Sequence, residues 1–250
     1  MLPIVNKPLI EFGVQEAYDA GMTDICIVTG RGKRAIEDHF DISYELEHQI
    51  AGSDKENYLN QNRHLLENCN FSYTRQMEMK GLGHAVLSGE KLINGNPFGV
   101  ILADDLCLNT GKNVMQQLAE AYEKHQCNII AVMEVPKEDT KKYGIIAGDE
   151  LDQQTIRVNH MVEKPAPDIA PSNLAVIGRY VLTPAIFRSI EGLGQGAGGE
   201  IQLTDALNLE AQRGKVIAIK FEGIRFDCGS LDGFVEATKY VHTNKLFNRF

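Results

Sequence analysis

Short apolar runs alternate with segments of helical period along the first half of this chain, and that alternation restricts the fold more than any other feature. Ile25–Val28, Phe98–Leu102 and Asn128–Val135 read as strands, while Leu9–Ala20 and Val114–Lys124 carry apolar residues at helical spacing. Strand and helix in turn predict right-handed βαβ units around a parallel sheet. The second half changes character. Strands at Tyr143–Ala147, Thr155–Val162, Leu174–Leu182 and Val216–Phe221 are joined by turns rich in Gly, Pro and Asp, so a mixed sheet with antiparallel strands is expected there. A chain of 250 residues has room for one large α/β domain with a sizeable core.

The glycine-dense Leu193–Gly199 segment predicts a loop, followed by a helix that Thr204 or Asp205 would cap. The last helix is expected over Leu231–Phe247, with Phe234, Val235, Tyr240 and Val241 forming a core-facing or oligomer-facing stripe.

Charge and composition exclude several function classes. A formal charge of −9 with no Lys/Arg block disfavours nucleic acid and anionic membranes as partners. No apolar stretch reaches the roughly 20 residues that span a bilayer, and the first residues do not have the pattern of a secretory signal, so a soluble cytoplasmic protein is expected. Five cysteines, Cys26, Cys69, Cys107, Cys127 and Cys228, are scattered without a C-x-x-C pair, which argues against a disulfide framework and a structural zinc site. Most of them are expected to serve as small core residues.

Chemistry concentrates in a few strings. Phe98-Gly-Val-Ile-Leu-Ala-Asp104-Asp105 runs apolar and then stops on two acids, as a strand does when it delivers carboxylates to the crevice at the carboxyl edge of an α/β sheet. Strand alternation lets one acid face that crevice, and Asp104 is the expected one. Arg225-Phe-Asp-Cys-Gly229 is a second acid-centred turn, and two distant carboxylates with space for water and phosphate oxygens describe Mg²⁺ in phosphate chemistry. Gln76 to Ala85 places Gly81 and Gly83 between a strand at Asn70–Arg75 and a helix starting near Gly83. Glycines there let a backbone approach a ligand closely, and the amide of Gln76 suits a nucleobase edge. Glu163-Lys164-Pro165 ends another strand with an acid and a base, suited to sugar hydroxyls and phosphate or to a solvated ion pair. Gly144 and Gly178 sit inside strands, where glycine weakens packing unless something passes close by.

Together with Lys33-Arg-Ala-Ile-Glu-Asp-His-Phe-Asp-Ile-Ser-Tyr-Glu-Leu46 and Glu200-Ile-Gln-Leu-Thr-Asp205, these strings closely resemble the bacterial UTP:glucose-1-phosphate uridylyltransferases over essentially the whole chain. The resemblance implies a Rossmann-like three-layer α/β/α nucleotidyltransferase fold with a central mixed sheet. It implies one domain over residues 1–250, with a nucleotide-binding part at about 1–135, a sugar-binding part at about 136–230 and a C-terminal helix at about 231–250. The implied reaction joins UTP and α-D-glucose 1-phosphate into UDP-glucose and pyrophosphate with Mg²⁺, by in-line attack of the sugar phosphate on the α-phosphorus. By the same resemblance Gln76 and Gly81 read uracil, Asp104 and Asp227 hold Mg²⁺, Gly144, Glu163 and Gly178 contact the sugar, and Lys164 meets the phosphate. Lys164, Asp104 and Asp227 are thus the expected catalytic residues, and a homodimer or homotetramer is the implied assembly.

One departure bears on the expectation. The family's Gly-x-Gly-Thr-Arg loop and Pro-Lys-Glu segment precede the Met-Leu-Pro-Ile-Val string, and Met1 falls where that segment ends. The first strand and phosphate loop are therefore expected to be missing from residues 1–250, with low turnover for this shortened chain. The alternative from another class is a catalytically silent UDP-sugar binder. A nicotinamide dehydrogenase is disfavoured, because Gly81-Leu-Gly83 lacks the third glycine of the dinucleotide fingerprint.

Overall fold

A computed structural model describes residues 1–53, 56, 62–194, 196 and 199–246, and divides the chain into two compact units. The first gathers Met1–Arg75, Ala103–Leu106 and Arg225–Phe250; the second gathers Gln76–Leu102 and Cys107–Ile224.

In the first unit β1 (Pro3–Ile4) and β2 (Lys7–Pro8) form a short antiparallel ladder ahead of a helix at Leu9–Asp19. β3 (Asp24–Thr29) pairs in parallel with β4 (Asn70–Arg75), from Asp24 opposite Asn70 to Thr29 opposite Arg75. Parallel neighbours need a long crossover, and the intervening segment includes the helices Arg34–His39, Tyr44–Ile50 and Arg63–Asn68. Val14, Ile27, Phe40, Leu65 and Cys69 form the buried centre, and the Phe40 and Phe71 rings stack 4.8 Å apart. Beside it the buried Glu11 lies 3.2 Å from Lys7 Nζ and 2.9 Å from His39 Nε2.

The second unit is built on six strands: β5 (Phe98–Ile101), β7 (Asn128–Glu134), β8 (Gly144–Glu150), β9 (Thr155–Glu163), β10 (Leu174–Leu182) and β11 (Val216–Lys220). Their order is β5-β10-β7-β11-β9-β8, and β10 also touches β8 where Ala175 faces Ile145. β6 (Asp105–Leu108) and β12 (Ile224–Asp227) pair separately. Ile130, Val132, Ile146, Ile156, Val158 and Ala218 line the core with Phe187, Leu203 and Leu207 from the helices Ala185–Glu191 and Leu203–Gln212.

A mixed sheet is present, but not with the neighbours that local alternation suggests. β5 and β7 are separated by β10, which runs antiparallel to both; β7 and β11 are the parallel pair of this sheet. Periodicity reports which faces are apolar and is silent about a strand inserted from elsewhere in the chain; β5 and β7 run in the same direction, as a βαβ unit requires, with β10 between them.

Helix ends also differ from expectation. The helix Val114–His125 opens with a reciprocal capping box, Asn113 Oδ1 accepting from the Gln116 amide and Gln116 Oε1 from the Asn113 amide, both at 2.8 Å. The helix Leu203–Gln212 starts ahead of Thr204 and Asp205, with Gln202 at its N-cap and no side-chain cap bond. Thr204 and Asp205 are therefore not caps, and the Thr204 hydroxyl is turned instead toward Gly144. The last helix covers Leu231–Thr243, capped by Ser230 Oγ accepting from the Gly233 amide at 3.1 Å; Phe247, its expected end, lies outside the described residues. Its buried positions are Ala237 and Val241, whereas Val235 is 56% exposed and so leaves the predicted stripe. Of the glycine-dense loop, Gln195, Ala197 and Gly198 lie outside the described residues.

Cys69, Cys107, Cys127 and Cys228 are buried and Cys26 is half-buried, all with free thiols. Among the described residues no helix is long and apolar enough to cross a membrane.

Candidate active site

The two acid-centred strings meet in the first unit. β5 stops at Ile101, Asp104 lies in the turn that follows, and Asp105 begins β6, so the expected strand end on Asp is a tight turn. The carbonyl of Asp104 accepts from the Cys228 amide at 2.8 Å, which fastens this turn to the one that carries Asp227. The Asp227 carbonyl in turn accepts from the Ser230 amide at 3.2 Å and from Ser230 Oγ at 3.0 Å, anchoring it to the start of the last helix. Both carboxylates then converge on Gly229. A Cβ at Gly229 would stand 3.1 Å from Asp104 Oδ2 and 3.2 Å from Asp227 Oδ1, so glycine leaves open the cradle between them.

Electrostatics separates the neighbouring acids. Asp105 is buried and its Oδ1 accepts from Arg225 Nε at 2.8 Å and also from Arg225 Nη2. Asp104 remains open to solvent, yet the chain packed around its carboxyl, and then the negative charges of Asp105 and Asp227, push its pKa above the ordinary aspartate value. Burial also pushes the adjacent Cys228 thiol up to about 11, with Asp105 adding to the shift, which keeps it neutral and unreactive. No group of three or more His, Cys, Asp or Glu among the described residues is placed to hold a metal. Two hard carboxylates over an open cradle fit an ion that takes the rest of its shell from water and phosphate, as Mg²⁺ does.

The other predicted positions fall in the second unit. Gly81 N-caps the short helix Leu82–Leu87 at φ 93°, a conformation glycine adopts without strain. A Cβ there would stand 2.8 Å from Glu200 Cβ and from the Ile201 carbonyl, and one at Gly83 would stand 2.8 Å from the same carbonyl. The turn is laced to that segment by Gly83 N donating to Ile201 O at 2.9 Å and Ile201 N donating to Lys80 O at 2.7 Å. The backbone that approaches these glycines so closely is therefore the chain's own, at Glu200–Ile201. Gln76 Nε2 donates to Gly81 O at 3.0 Å and meets His84 Nδ1 at 3.1 Å. Its amide nitrogen thus holds the turn in shape.

A second group surrounds Gly144. A Cβ at this first residue of β8 would stand 2.9 Å from Thr204 Oγ1 and 3.3 Å from Glu163 Oε2. Gly144 pairs with Glu163 across the β8–β9 ladder, which places that carboxylate beside it. Lys164 leaves β9 with φ 48°, its amide donating to Tyr143 O at 3.0 Å and its Nζ 3.5 Å from Glu163 Oε1. Burial, and then the charge of Glu163, push the Asp205 carboxyl above the ordinary aspartate value. Gly178 is buried in β10 within the register shift between Val176 and Tyr180, and its carbonyl accepts from the Leu102 amide at 2.9 Å. Arg179 beside it is buried and donates to Leu102 O and Gly178 O, tying β10 to the end of β5.

The geometry thus brings together Asp104 with Asp227, Gln76 with Gly81, and Gly144 with Glu163 and Lys164. Thr204 and Asp205, read from the sequence only as helix caps, and the Arg225–Asp105 pair were not singled out as site residues. Each lies in a string that drew notice, but the side-chain partner of each is distant in the chain.

Comparison with known proteins identifies the family. The Nucleotidyl transferase family model matches residues 1–244. A protein of Pseudomonas aeruginosa named UTP–glucose-1-phosphate uridylyltransferase is 62% identical over 243 residues, 97% of this chain and 87% of that protein. A crystal structure of apo UDP-glucose pyrophosphorylase is 52% identical with a TM-score of 0.94, covering 98% of this chain and 90% of that one. A UDP-glucose pyrophosphorylase complexed with UDP-glucose is 49% identical with a TM-score of 0.90, at the same coverage of both chains. The chain belongs to the nucleotidyl transferase family, and within it to the UTP–glucose-1-phosphate uridylyltransferases.

Proposed function

We propose that this protein transfers a uridylyl group from UTP to α-D-glucose 1-phosphate, giving UDP-glucose and pyrophosphate. The observation that carries the reading is the 62% identity, over nearly the whole chain, to a protein named for that reaction. In this reading the turn held by Gln76, with Gly81 at its corner, receives the uracil. Glu163 accepts hydrogen bonds from glucose hydroxyls in the space that Gly144 leaves open, and Gly178 supplies backbone at the same subsite. Lys164 supplies positive charge to the phosphate as the sugar-phosphate oxygen attacks the α-phosphorus in line and pyrophosphate leaves. Asp104 and Asp227 hold Mg²⁺, which supplies neutralisation of the phosphate charge that two polyanions bring together. No covalent intermediate with the protein is required. A cytoplasmic homo-oligomer is part of the same reading.

The test is release of pyrophosphate from UTP and glucose 1-phosphate in Mg²⁺ and in EDTA. Release that needs both substrates and the metal supports the reading. Binding of UDP-glucose without release would replace it by the silent binder.

A further inference from the structure

The acid pair beside the cradle is braced by a second pair that the proposed reaction does not use. Arg225 and Asp105 are both buried, with side chains 8% and 6% exposed, while Asp227 is 41% exposed. A guanidinium is a rigid fork, and two of its nitrogens are occupied by one Asp105 oxygen. Its Nη2 also stands 3.7 Å from Asp227 Oδ2. On the other side the Gly229 amide donates to Asp227 Oδ1 at 3.1 Å. The Asp227 carboxylate is therefore flanked by a cation on one oxygen and an N–H on the other, and Oδ1 is the oxygen turned toward Asp104 across Gly229.

We propose that Arg225, anchored on Asp105, is a positioning residue that sets the rotation of the Asp227 carboxylate for the divalent cation. The inference rests on the metal-holding role given above to Asp104 and Asp227. Asp105 neutralises the guanidinium, so the brace orients Asp227 without adding net positive charge beside a dication. It also explains why two adjacent acids do different work: Asp105 is consumed by Arg225, and Asp104 is left for the cradle. Outer partners of this kind commonly change metal affinity by about 10- to 100-fold when removed.

The test titrates Mn²⁺ into the UDP-glucose-bound protein and follows free Mn²⁺ by electron paramagnetic resonance. Three proteins are compared: the parent, Asp104→Asn, and the double variant Asp105→Asn with Arg225→Gln, which removes the brace at constant net charge. Weakening of Mn²⁺ binding by about tenfold or more in the double variant, with UDP-glucose affinity in the absence of metal unchanged, supports the proposal. Parent-like Mn²⁺ affinity in the double variant, with binding lost in Asp104→Asn, overturns it and leaves the metal reading standing. Absence of Mn²⁺ binding in the parent, or no effect of Asp104→Asn, overturns the metal reading and the proposal with it. Should the double variant fail to fold, Arg225→Lys decides: a point charge cannot span Asp105 and Asp227, so a several-fold loss is expected and an unchanged affinity sinks the brace.

Discussion

The amide of Lys164 donates to the carbonyl of Tyr143 at 3.0 Å while Lys164 itself stands at φ 48°, in the left-handed region that side chains other than glycine rarely adopt. That conformation costs roughly 1 kcal/mol or more, and it turns the chain where β9 ends at Glu163. Lys164→Gly should therefore match or exceed the parent in thermal stability while lowering kcat by about two orders of magnitude or more through loss of the cation. Lys164→Ala should lose activity to the same extent without the gain. A Lys164→Gly protein less stable than Lys164→Ala would show that the backbone is not strained there.

Glu163→Gln tests the sugar subsite. A hydrogen bond to a charged acceptor contributes about 1.5–3 kcal/mol, so the KM for glucose 1-phosphate should rise by roughly 10- to 100-fold with the KM for UTP nearly unchanged. An equal rise in both would move Glu163 away from the sugar.

Gly81→Ala should destabilise through both geometry and contact. The φ of 93° is unfavourable for alanine, and the new methyl would meet Glu200 Cβ and Ile201 O at 2.8 Å. Overpacking of this kind costs about 1–3 kcal/mol, readable as a lower urea midpoint at unchanged slope. Gly21→Ala is the control: its φ of 80° is equally unfavourable but nothing lies within 4 Å, so only the backbone part of the loss should remain.

Glu11 predicts part of the acid sensitivity. Burial raises its pKa, but the His39 hydrogen bond and the charge of Lys7 outweigh that and hold it below the ordinary 4.5. A depressed carboxyl favours folding above its unfolded value, and that contribution is lost as pH falls from about 4.5 through the folded value. Removing one partner of a buried pair costs about 3–5 kcal/mol, so Glu11→Gln should lower the Tm clearly at pH 7. The gap between parent and variant should narrow as pH falls below that window. A gap that stays constant with pH would assign the loss to packing.

Local chemistry made part of this protein legible without coordinates. β3, β4, β5, β7, β10 and the helices at Leu9 and Val114 follow from apolar period, because periodicity reports burial one residue at a time. Turn strings such as Leu102–Asp105 and Arg225–Gly229 mark themselves by acids and glycine at the ends of apolar runs. Neighbour relations do not. That β10 lies between β5 and β7, that Asp105 belongs to Arg225 120 positions away while Asp104 converges with Asp227, and that the glycines at 81 and 83 make room for Ile201 were decided by tertiary structure alone. The physical reason is range: backbone preference and apolar period act within a few residues, whereas the partner of a buried charge or an inserted strand is selected by three-dimensional packing among many candidates that look alike in sequence.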